Sequence, residues 1–184
     1  MGMALFFIIL GLILWCSVFE WILHRYVMHR VSFRFRYAYE AHAKVHHNIY
    51  KSDNSYHVQK GDDGNKIAMA KWNGIVISIL AGIPMIVFGY WMFILAFIIS
   101  MSYYGVYEFM HWCMHMPKRR SMEYMMWFRK LNGHHLLHHR YVNKNYNVVL
   151  PFGDLIFGTL MIRSPIKFKQ CKSAYCLPDV QPMK

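Results

Sequence analysis

Hydrophobic positions in this chain are gathered into two long blocks, with polar and charged residues confined to the stretches that follow each. The first block, Met3 to Leu23 (MALFFIILGLILWCSVFEWIL), is broken only by Ser17 and Glu20. An α-helix needs about 20 apolar residues to cross a bilayer core. A signal peptide would carry positive charge ahead of such a run and a small-residue cleavage site behind it. Here Arg25 and Arg30 follow the run, so a retained membrane anchor is expected. The second block runs from Ile67 to Tyr107 with Lys71 as its only charge, about twice the length of one span. Gly89, Tyr90 and Trp91 near its middle predict a turn with aromatic side chains at the membrane interface. Pro84 predicts a kink in the helix before that turn, of a kind neighbouring helices tolerate.

The expected fold is therefore an all-α membrane protein forming a single domain over residues 1–184. It has about three transmembrane helices, one single span (3–23) and a hairpin (67–88 and 92–113), beneath a cytoplasmic helical cap (24–66 and 114–184). A hairpin that dips into one leaflet would keep the same sidedness. KGDDGN at 60–65 reads as a turn-rich connector, and 163–184 with its three prolines as an irregular tail.

Charge sets the orientation. The 21 Lys and Arg outnumber 9 acidic residues. All of them lie between Arg25 and Lys71 or between Lys118 and Lys184, and none lies before the first block or in the hairpin turn. The positive-inside rule puts both basic segments and the C-terminus in the cytoplasm, and the N-terminus on the opposite side. The excess then suits anionic headgroups, and no nucleic-acid partner is expected. The four cysteines form no CxxC pair and read as reduced thiols.

Of 12 histidines, 11 fall in four groups: HRYVMH from His24, HAKVHH from His42, HWCMH from His111 and HHLLHH from His134. Positions three or four apart share a helix face. His42 with His46, His111 with His115, and His135 with His138 and His139 can each converge on a metal. His24 and His29, five apart, fall about 140° apart on an α-helix, so that pair must bracket a site or the helix must end between them. Taking one of His134 and His135 leaves ten candidates, too many for one ion and enough for two with about five imidazoles each. No HExxH is present, and ExxH occurs once, at Glu108. Glu20, Glu40 and Glu108 read either as acceptors for ligand imidazole N–H groups or as plain helix-end carboxylates.

The order HRYVMH, HAKVHH, HWCMH, HLLHH resembles the histidine boxes of the fatty acid hydroxylase/sterol desaturase superfamily of integral-membrane di-metal oxygenases. The likeness spans His24 to Leu160 and includes NYNVVLPFGDLIFGTL at 145–160; the small size is also similar to bacterial carotenoid hydroxylases. The resemblance implies metal ligation by His24, His29, His42, His46, His47, His111, His115, His135, His138 and His139. His57 and His134 fall outside it, His57 as an outer residue or an exposed loop histidine, His134 as a substitute for His135. It further implies two Fe ions (Zn in a purified form), O2 as co-substrate, and hydroxylation or desaturation of a fatty acyl, sterol-like or carotenoid lipid. The chain departs from the better-known hydroxylases by the three residues between His42 and His46, which leaves the substrate open.

The chain has no dinucleotide fingerprint and no cysteine spacing for an iron–sulfur cluster, so electrons are expected from an external ferredoxin or cytochrome b5-type donor. Tyr103, Tyr104, Tyr107, Phe109 and Trp112 are candidates to line a lipid path, or simple packing residues. The competing classes are a membrane-bound zinc hydrolase and a non-enzymatic His-rich metal-binding or transport protein. A transporter should place polar ligands at the bilayer midplane, where these blocks have almost none.

Overall fold

The computed structural model describes residues 2–31 and 36–162. The predicted tail, with Cys171 and Cys176, lies outside the described residues. Among the described residues the fold is helical throughout and contains no strand.

Helix α1 (Gly2–Leu23) carries no proline and no charge before Glu20, and runs on without a break into a π-helical turn, His24–Met28. A composite helix α2 follows: an α-turn Tyr37–Tyr39, a π-helical stretch Glu40–His46 and an α-turn His47–Ile49. Helix α3 (Trp72–Gly82) passes into a 3₁₀ segment, Ile83–Phe88. Helix α4 (Tyr90–His115) returns to the cap, α5 (Met126–Arg140) lies in it, and α6 (Phe152–Ile156) is a single turn.

Two helices are long and apolar enough to cross a membrane, Gly2–Met28 and Tyr90–His115, and a third apolar helix, Trp72–Phe88, is shorter. Only 17% of the most apolar stretch of each long helix is buried. Core helices of soluble proteins bury such residues; here Phe6, Phe7, Ile75, Ile79, Ile94 and Ile98 point outward. Outward apolar surface of this extent belongs against lipid.

The hairpin differs from its sequence prediction in two places. Its first helix starts at Trp72 rather than Ile67. The reason is local: the Asp62 and Asp63 carboxylates accept the backbone N–H groups of Gly64 and Asn65 at 2.9 Å each, which holds the connector in tight turns. Ile67 is then buried in the cap. The reversal is Gly89 alone, at φ +108 and ψ 160, a backbone region open essentially only to glycine. Tyr90 and Trp91 belong to the first turn of α4 and are about four-fifths exposed (80% and 81%).

Helix α4 packs along both α1 and α3, and α6 packs on α1. That last contact is close: a Cβ on Gly153 would sit 2.6 Å from Trp21 Cβ and 3.0 Å from the Ser17 carbonyl. Because α1 ends, α3 begins and α4 ends at one edge, all four histidine groups meet there.

Candidate metal centre

Ten imidazoles gather into two groups of five. His24, His29, His42, His47 and His138 form the first, and His46, His111, His115, His135 and His139 the second. Within each group the facing nitrogens all lie within 4.8 Å of one another. No carboxylate or thiolate belongs to either group among the described residues.

The grouping cuts across the four-apart pairing expected from an ideal α-helix. His42 and His46 divide between the two groups, as do His138 and His139. For His42 and His46 the physical cause is the π winding, whose i→i+5 hydrogen bond closes a turn over five residues; His138 and His139 are consecutive on the regular helix α5 and so point about 100° apart. The His29 N–H donates to the His24 carbonyl at 3.1 Å, and the His47 N–H donates to the His42 carbonyl. Residues five apart are thereby brought together: the His24 and His29 rings stack at 5.1 Å, and His42 Nε2 lies 3.1 Å from His47 Nε2. The helix does not end between His24 and His29; it unwinds by one residue, so that both rings reach one group.

Backbone carbonyls hold the rings. Nδ1 of His24 donates to the Tyr146 carbonyl and Nδ1 of His139 to that of Tyr50. His115 donates to Tyr56 at 2.7 Å, His138 to Lys144 at 2.7 Å and His46 to Lys66 at 3.3 Å. A carbonyl only accepts, so each of these rings carries its proton on Nδ1 and presents a bare Nε2 lone pair inward. Glu20, Glu40 and Glu108 do not supply this outer support. Glu20 accepts from the Val148 N–H at 2.6 Å, the Asn147 amide at 3.0 Å and the Tyr103 hydroxyl at 2.7 Å. Glu40 is exposed, and among the described residues Glu108 accepts no hydrogen bond from a histidine.

The inward nitrogens are spaced as ligands of an ion. His24 and His42 face each other at 2.9 Å, His29 and His138 at 3.0 Å, His135 and His139 at 3.0 Å, and His46 and His111 at 3.2 Å. Imidazole nitrogens at about 2.0–2.1 Å from a metal and at right angles to each other stand roughly 3 Å apart. His46 Nε2 lies 3.3 Å from His139 Nε2. Both rings have committed their protons to carbonyls, so two lone pairs meet there with no hydrogen between them. Such a contact is repulsive unless a cation occupies it. A proton is disfavoured: burial holds His29 and His46 down to about 4, and the neighbouring rings add to burial in keeping His42, His47, His135, His138 and His139 below the usual histidine range. The donor set fits one metal ion in each group.

The segment 144–161 is the scaffold for the first group. The Asp154 carboxylate accepts the N–H groups of Tyr146 and Asn147 at 2.9 and 2.8 Å and the Thr159 hydroxyl at 2.6 Å. Thr159 in turn accepts the Trp21 indole N–H at 2.8 Å. Asp154 therefore places the Tyr146 carbonyl that orients His24. Asn145 ties the same loop to α5 through the His134 carbonyl, 3.1 Å away. Sequence reasoning did not assign these roles, since a carbonyl acceptor has no residue signature; the run of Asn and Asp in NYNVVLPFGD is the only signal.

His134 and His57 stand outside both groups. His134 Nδ1 donates to the Asn147 carbonyl at 3.3 Å, so it does not replace His135. His57 is buried rather than an exposed loop residue, with its ring 5.0 Å from that of Tyr56.

A cavity of about 380 Å³ opens beside His24, between α1, α3 and α4. Tyr103, Tyr104 and Tyr107 line it as expected. Phe109 and Trp112 do not: Phe109 is exposed, and Trp112 faces Lys118 and Arg120, 5.1 and 4.6 Å from its ring centre.

A family model described as Fatty acid hydroxylase matches residues 8–159. No curated protein and no solved structure matches the chain.

Proposed function

This chain belongs to the fatty acid hydroxylase family, and on that premise we propose that it is a membrane-bound di-iron oxygenase that hydroxylates or desaturates a lipid. The observation that carries the reading is the pair of all-imidazole groups with lone pairs turned inward. Iron bound there supplies the activation of O2 needed to attack an unactivated C–H bond. In the hydroxylation, RH + O2 + 2 e⁻ + 2 H⁺ gives ROH + H2O; in the desaturation, two hydrogens from the chain together with two donor electrons and two protons reduce O2 to two waters.

The chain's own residues do three things. His24, His29, His42, His47 and His138 hold one ion, and His46, His111, His115, His135 and His139 the other. The carbonyls of Tyr50, Tyr56, Lys66, Lys144 and Tyr146 keep the rings in the tautomer that binds metal, which also raises their basicity as ligands. The apolar cavity beside His24 excludes water and holds hydrocarbon against the first group. Zinc suits the same donors, and metal analysis distinguishes the two.

The basic segments favour placing the cap and C-terminus in the cytoplasm, with the hairpin turn on the N-terminal side. A soluble acidic electron donor, of ferredoxin or cytochrome b5 type, then docks on that face. The test is expression in lipid-producing cells and mass spectrometry of their lipids for a gain of one oxygen or a loss of two hydrogens. The product is expected with the native chain and absent with His46→Ala. A product that persists in the variant overturns the assignment.

A further inference from the structure

The cavity beside His24 is a cleft with one closed end. Helices α1 and α3 each pack along α4, and the space lies between them. Its α3 wall is formed by Trp72, Val76 and Leu80, all partly exposed on the lipid-facing surface, so the cleft opens sideways toward the bilayer. At the cap end it runs past His24 to Met28, Ala38 and Met69. At the other end Cys16, Leu80 and Ser100 close in, and just beyond them α1 and α3 are joined directly: the Trp15 indole N–H donates to the Ala81 carbonyl at 2.9 Å. The reason this carbonyl is free lies in the sequence. At Ile83 the chain changes to 3₁₀ winding, in which a carbonyl pairs with the N–H three residues on. Three residues beyond Ala81 stands Pro84, which has no N–H, and four beyond stands Met85, whose N–H the 3₁₀ winding directs to the Gly82 carbonyl. The proline thus leaves an acceptor inside the apolar layer, and Trp15 reaches across to satisfy it.

We propose that the cleft seats the end of a single hydrocarbon chain, and that the Trp15–Ala81 bridge is the stop setting how much of that chain lies beyond the oxidised carbon. Cys16 precedes His24 by eight residues, so the stop is about 12 Å along the axis from the first metal group. About 380 Å³ of space along that length, lined mostly by apolar side chains, suits a chain-shaped hydrocarbon ligand. Among the described residues no Lys, Arg or Asp lines the cleft, and the one carboxylate that does, Glu20, is engaged by Tyr103, Asn147 and Val148. The inserted end is therefore hydrocarbon, with any polar group left at the cap. The seating stands on the cleft alone; the oxidised position rests on the oxygenase reading.

The experiment is photo-crosslinking of the purified full-length chain with hexadecanoic acid carrying a diazirine on its terminal carbon. Adducts are expected on Trp15, Cys16 and Leu80, lost on adding excess unlabelled acid. Trp15→Ala is expected to move them past residue 15 toward Leu12, while Trp15→Phe, which keeps a ring, leaves them in place. Leu80→Trp, which narrows the cleft without touching the bridge, is expected to move them toward Val76 and covers the case in which Trp15→Ala does not fold. Labelling outside the cleft, or labelling unmoved by both Trp15→Ala and Leu80→Trp, overturns the proposal. In lipids from cells expressing the active chain, the oxidised carbon is expected to shift in the same sense. Floor labelling without any oxidised lipid sinks the oxygenase reading and leaves the seating intact; oxidised lipid without floor labelling does the reverse.

Discussion

His46 and His139 show most directly what a single residue does here. Each has given its proton to a carbonyl, so their 3.3 Å contact is a pair of lone pairs. Replacing His46 by alanine removes one side of that contact and one donor of the second group. His46→Ala is expected to halve the metal content of the purified chain, measured by elemental analysis, with the first group still loaded. Asp154 acts one step further out, through the Tyr146 carbonyl and His24. Support residues of this kind change metal affinity by about 10–100-fold. Asp154→Asn keeps the size but weakens the grip on two N–H groups, so iron binding in the first group should fall by about tenfold, the lower end of that range, in a competition titration against a chelator.

At the scale of elements, the π turns and the Gly89 reversal decide where side chains go. A π turn costs hydrogen-bond geometry relative to α, and here it occurs at His24/His29 and at His42/His47, two pairs spaced by five that each serve one group. Its return is that His24 meets His29 and His42 meets His47, while His46 is released to the other group. Gly89 lets the 3₁₀ segment Ile83–Phe88 and α4 meet with no intervening loop. Its φ of +108 is strained for any residue with a Cβ, at a cost of about 1–3 kcal/mol. Gly89→Ala is expected to lower thermal stability in detergent by that amount while leaving metal content unchanged, since the reversal lies at the opposite end of the helices from the histidines.

For the whole molecule, the ten clustered histidines and the cap end of the chain cleft sit at one end of the helical layer. Single cysteines at Gly61 and Gly2, in a background with the four native cysteines changed to serine, report the sidedness. With a membrane-impermeant thiol reagent on intact cells, the cysteine at residue 2 is expected to label and the one at residue 61 only after lysis. The opposite pattern would place the basic cap outside and rule out a cytoplasmic electron donor.

The apolar blocks, the clustering of basic residues and the four histidine groups are one-dimensional properties, and the chain by itself determined them: the helical class and the apolar helices follow from residue type and spacing, while the choice of ten imidazoles came from the family resemblance. The division of those imidazoles did not follow, because helical spacing assumes α winding, and the π turns at His24–Met28 and Glu40–His46 rewrote which residues face each other. Nor did the outer support. Sequence points to carboxylates such as Glu20, yet the tertiary structure uses the carbonyls of residues 50, 56, 66, 144 and 146, groups every residue carries and only folding can aim. The same holds for Trp15 and Ala81, 66 residues apart, whose bond exists because a proline downstream left one carbonyl free where another helix passes close by.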